Sequence, residues 1–74
     1  MWKYQRKEPK SLYNVFLRYE NETGDLFTEY LGDKWAFSEA QAAKLMSFDH
    51  GDNGEREVEY KGYRCIYEGK KVDI

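Results

Sequence analysis

Apolar and polar residues alternate most regularly near the C-terminus. There Glu-Arg-Glu-Val-Glu-Tyr, Tyr-Arg-Cys-Ile-Tyr and Lys-Lys-Val-Asp-Ile are separated by the dipeptides Lys61-Gly62 and Glu68-Gly69. A period of two broken by glycine-containing dipeptides predicts a three-stranded antiparallel meander over residues 55–74. Two-residue loops set Val58 opposite Cys65 and Cys65 opposite Val72, with Tyr60, Tyr63 and Ile74 on the same face. The other face then carries Glu59, Arg64 and Asp73 in one row and Glu57, Ile66 and Lys71 in the next. A three-residue first loop would set Val58 opposite Arg64 and mix the two faces, so the two-residue register is expected.

The first half of the chain carries a second hairpin signal. Leu-Tyr-Asn-Val-Phe-Leu-Arg-Tyr-Glu ends at Asn21-Glu22-Thr23-Gly24, which fits a type I turn closed by a left-handed glycine. Pairing Asn21 with Asp25 puts Tyr19 opposite Phe27, Val15 opposite Leu31, and Phe16 opposite Tyr30 on the reverse face. Both faces are therefore apolar, and the pattern leaves the core face undecided. Upstream, residues 1–8 alternate weakly, with Trp2, Tyr4 and Arg6 on one side, and Pro9 stops or edges any strand there. Ser38, with Gln41 three residues on, marks a helix start. Ala42, Leu45, Met46 and Phe48 then share one side of about three turns, and Gly51 closes the helix. The expected fold is a small α+β domain spanning residues 1–74: hairpin, helix, three-stranded meander, with room for an N-terminal edge strand. Trp35, Phe37, Leu45, Met46, Val58, Tyr60, Cys65 and Val72 are the expected core.

Composition sharpens this picture. Seventy-four residues sit near the size where one core barely suffices, but 18% aromatics supply large buried areas per residue. The lone cysteine excludes an internal disulfide, and no membrane-length apolar run or export signal follows Met1, so a cytoplasmic protein is expected. The net charge of −2 is unevenly spread. Residues 1–18 carry Lys3, Arg6, Lys7, Lys10 and Arg18 against Glu8, whereas residues 19–60 hold most of the acids.

Catalytic chemistry has little to work with. The single His50 and single Cys65 fall at a helix end and mid-sheet, where a terminal cation and a small buried hydrophobe are the ordinary roles. The run from Asp49 to Gly54 departs from a calcium loop, with Gly51 at its third position and Tyr60 at its twelfth. No Cys/His cluster suits zinc and no glycine-rich loop suits a phosphate, so neither cofactor nor metal is expected and the chain reads as no enzyme.

Binding surfaces are the more informative reading. Glu55, Glu57 and Glu59 recur about every 6.6 Å along a strand. With Asp49, Asp52 and Tyr67 they form the expected surface for a protein partner. The alternative is a nucleic-acid strip in which Lys3, Arg6, Lys7 and Lys10 meet phosphates and Trp2 and Tyr4 stack on bases. A C-terminal edge strand also leaves room for a homodimer. Val58-Glu59-Tyr60-Lys61-Gly62-Tyr63 resembles the Val-x-Trp-Lys-Gly-Tyr hairpin of chromodomains. The likeness covers six residues; that family's Thr-Trp-Glu-Pro segment and C-terminal helix do not follow, and it implies no ligand here. The function expected from sequence is a non-enzymatic protein-binding module, an inhibitor or adaptor. In size and acidity it resembles bacteriophage or mobile-element accessory proteins that antagonise host defence.

Overall fold

A computed structural model describes residues 9–72. The chain forms β1 (Ser11–Glu20), β2 (Leu26–Ala36), α1 (Glu39–Asp49), β3 (Glu57–Tyr60) and β4 (Tyr63–Lys71). The four strands make one antiparallel sheet in the order β2-β1-β4-β3. The α+β class is as expected. The N-terminal segment, with Trp2, Lys3, Tyr4, Arg6 and Lys7, lies outside the described residues, as do Asp73 and Ile74.

Both hairpins close as their turn residues dictate. Asn21 Oδ1 accepts from the backbone N–H of Thr23 (3.1 Å) and Asp25 (2.9 Å), and Asn21 N–H donates to the Asp25 carbonyl. Tyr19 faces Phe27 and Phe16 faces Tyr30, but Val15 faces Gly32 because a bulge absorbs Leu31. Lys61 and Gly62 both adopt positive φ, +52° and +84°, the type I′ turn that matches strand twist. Val58 therefore faces Cys65, and Tyr60 faces Tyr63.

The meander ends one strand short of expectation. Glu68-Gly69 is not a turn; it lies within β4, which runs on to Lys71 and pairs with β1 from Tyr13 to Glu20. Cys65 thus lies between Val58 and Tyr19, and Val72 N–H donates to the Leu12 carbonyl. The reason is the helix above. A Cβ at residue 69 would stand 2.8 Å from the Glu39 carbonyl oxygen and 3.3 Å from the Ala42 Cβ. Gly69 exists for close approach, which by sequence resembles a turn.

The same approach corrects half of the expected helix stripe: Ala42 and Met46 face the sheet as expected, whereas Leu45 and Phe48 do not. Ser38 caps α1, its Oγ accepting from Gln41 N–H at 3.1 Å, while the Gln41 side chain accepts from Phe37 N–H at 2.7 Å. The residues facing the sheet are Ala42, Ala43, Met46 and Ser47. Leu45, Phe48 and Phe37 are exposed, as are Trp35 and Tyr60. A small side chain is required at Ala42, which stands over Gly69, whereas Met46 reaches across to Gly32. The core is Tyr13, Val15, Ala36, Ala42, Ala43, Met46, Cys65 and Tyr67, so the strand residues facing the helix are the odd-numbered ones of β1 and β4.

Candidate functional site

Alternation gives the sheet two faces of different chemistry. The face away from α1 is salt-bridged and open. Glu57 pairs with Arg64, Arg64 reaches Glu20 (3.7 Å), and Arg18 bridges Glu20 (3.3 Å) and Glu68 (3.2 Å). The Arg64 guanidinium holds the Glu57 carboxyl below its ordinary range and is itself pushed up. Such exposed pairs contribute little stability, but they offset much of the acid on the sheet face.

The expected acidic surface is divided by this arrangement. Glu57 and Glu59 lie opposite Ile66 and Arg64, with Glu57 tied to Arg64. Glu55 is exposed in the loop before β3, with its carbonyl accepting from Ser47 Oγ at 2.6 Å. Asp49 pairs with Lys34. Asp52 accepts from the Tyr67 hydroxyl, and Tyr67 is 2% exposed. Tyr67 is therefore a core residue rather than a contact residue, because β4 directs it under the helix C-terminus. Of the basic strip, Lys10 is described: it is exposed, with its ammonium 5.5 Å from the Phe37 ring centroid.

Among the described residues, the helix-side face is only partly covered. α1 spans 11 residues, about 16 Å, and sits over Tyr13, Val15, Gly69 and Tyr67. Beyond it the face continues as a groove of two adjoining hollows, of about 350 Å³ and 330 Å³. The inner one has Leu17, Leu31, Val58 and Cys65 in its lining, with His50 and Asp52 at the helix end. The outer one is ringed by Tyr19, Phe27, Tyr60 and Tyr63, with Glu29 and Lys61 at its rim. Tyr19, Phe27 and Tyr63 touch in edge-to-face and tilted pairs, with centroids 5.8–6.2 Å apart. Phe27 is 52% and Tyr60 56% exposed.

One side-chain hydrogen bond and the two hairpin registers set this ring. Tyr19 donates to Glu29 Oε1 at 2.6 Å, and that bond, with some desolvation, pushes its phenol up to about 12. Tyr63 is held by the type I′ turn and its partner Tyr60. The hairpin registers already place Tyr19 beside Phe27 and Tyr60 beside Tyr63; the missing signal is the β1–β4 junction, which joins the two pairs.

Reactive groups near the groove are engaged elsewhere. Cys65 is fully buried, burial pushes its thiol up, and its Sγ contacts the Tyr63 carbonyl oxygen at 3.7 Å. The His50 ring lies against Tyr67, 6.2 Å between centroids. Among the described residues, no group of three or more His, Cys, Asp or Glu side chains is placed to hold a metal ion. No described helix is long and apolar enough to cross a membrane. No protein-family model, curated protein or solved structure matches this chain.

Proposed function

We propose that this chain is a non-enzymatic protein-binding module whose contact surface is the aromatic groove beside α1. The observation that carries the reading is the contiguous set Tyr19, Phe27, Tyr60 and Tyr63, held in place while two of its rings are half exposed. Contiguous exposed aromatics on a small protein mark a contact surface. Tyrosine and phenylalanine bring large area with few torsions to immobilise, which favours them at interface centres. The hollow is open and shallow, so a small molecule would leave much of its own surface in water, unlike ligands in ordinary cofactor pockets. An inhibitor or adaptor needs no more than such a surface, and the role of accessory inhibitor of a host protein is part of this proposal.

The test compares the two sheet faces. A photo-crosslinking amino acid is placed at Phe27 in one sample and at Trp35, 58% exposed on the opposite face, in another. Both are irradiated in lysate from the native host. A discrete protein adduct from position 27 alone is the expected result. Adducts from position 35 alone, or from neither position, would remove the groove from consideration.

A further inference from the structure

Resting on that reading, we infer that the groove takes a short basic amphipathic α-helix from the partner protein, laid beside α1 as a second helix on the same sheet face. Three observations lead there. The first is size. From Leu31 to Phe27 the uncovered face runs about 13 Å along β2, and about 14 Å across the three inter-strand spacings from β2 to β3. A helix with its side chains is about 10 Å wide, so two to three turns fit the patch.

The second is backbone chemistry. An extended segment laid across Phe27, Tyr63 and Leu17 would bring its N–H and C=O groups onto carbon, where they find no partner. A helix satisfies its own backbone and presents only side chains. Alignment along an edge would satisfy a strand, but that places it beside the sheet and leaves the aromatic ring uncovered.

The third is charge. Glu29 and Asp52 border the groove against Lys61, and Glu22 and Asp25 lie in the loop just beyond Tyr19. Glu29 and Asp52 each accept from a tyrosine hydroxyl, which holds their carboxylates at the groove. Lysines or arginines flanking the apolar stripe complement this rim, in binding energy and still more in approach rate. A second copy of this chain is a poorer occupant, because its net charge of −2 would bring acid to acid.

A displayed peptide library of about a dozen residues per member tests this on the full chain. Half the library places apolar residues at helical spacing and half alternates them, with Lys and Glu randomised between. The expected winners have helical spacing and a lysine excess. They lose at least tenfold in affinity on the Phe27→Ser chain, as truncating a central aromatic anchor does. The Glu29→Lys chain should show a reduced lysine excess with folding intact by circular dichroism. Winners that alternate, or that favour Glu, overturn the helix while leaving the groove as the contact surface. A concentration-dependent dimer abolished by Phe27→Ser makes the occupant a second copy and likewise overturns it. Enrichment indifferent to Phe27→Ser, or none at all, removes both the helix and the groove.

Discussion

Gly69 and Tyr67, two residues apart on β4, show how single positions hold this fold together. Gly69 accommodates the backbone of α1 at Glu39, so Gly69→Ala forces helix and sheet apart. The expected loss is about 1–3 kcal/mol, typical of overpacking, measured as a lowered urea midpoint. Tyr67 is buried against the helix end with its hydroxyl on Asp52; burial first, and that bond second, push its phenol above the ordinary range. Tyr19 and Cys65 shift the same way. The sign follows from linkage. A raised folded-state value gives stability fully present below the unfolded value, from about pH 9 for the thiol and about pH 10 for the phenols. That stability is lost as pH climbs through the folded values. Urea midpoints should therefore be flat to about pH 9 and fall above it, and Tyr67→Phe should make the fall shallower. A slope unchanged by Tyr67→Phe would assign the alkaline loss to other groups.

Elements here are set by local chemistry but joined by distant contacts. The Lys61-Gly62 turn asks a lysine to hold φ of +52°, which asparagine or glycine adopts more readily. Lys61→Asn should raise stability by about 0.5–1 kcal/mol in urea unfolding, and no gain would argue against the type I′ geometry. Ser38, Gln41 and Gly51 were legible as the ends of α1, because caps depend on backbone groups within a few residues. Its inward stripe was legible only in Ala42 and Met46. Hydrophobicity also selects Leu45 and Phe48, whereas the close approach at Gly69 turns Ala43 and Ser47 inward instead. Ser47 is fully buried because its Oγ donates to the Glu55 carbonyl, tying the helix to the loop before β3. Ser47→Ala leaves that arrangement without its donor and should cost about 1–3 kcal/mol by the same assay.

At the scale of the molecule, the first and last strands among the described residues meet at the centre of the sheet. β1 and β4 pair over Tyr13 to Glu20, so the C-terminal residues hold the N-terminal hairpin as well as the helix floor. A chain ending at Glu68 should lose cooperative unfolding by near-ultraviolet circular dichroism. In a separate meander, the same truncation would spare the hairpin and helix. Survival of a sharp transition would contradict the β1–β4 pairing. The half-covered face is a second whole-molecule property: Phe27→Ser should abolish partner binding with little change in stability, since the ring is already half in water. A large drop in urea midpoint would make Phe27 a core residue instead.

The chain by itself determined the α+β class, both hairpin turns, the cross-strand partners nearest each turn and the helix ends, since each depends on groups within a few residues of one another. Tertiary structure alone decided that β4 continues through Gly69, that α1 buries Ala43 and Ser47 rather than Leu45 and Phe48, and that Tyr67 lies inside. It also decided that Tyr19 and Phe27 join Tyr60 and Tyr63 in one open ring. These outcomes require knowing which strand lies beside which and how closely the helix approaches. A glycine looks the same in a turn as beneath a helix, and alternation identifies a face without saying how much of it is covered.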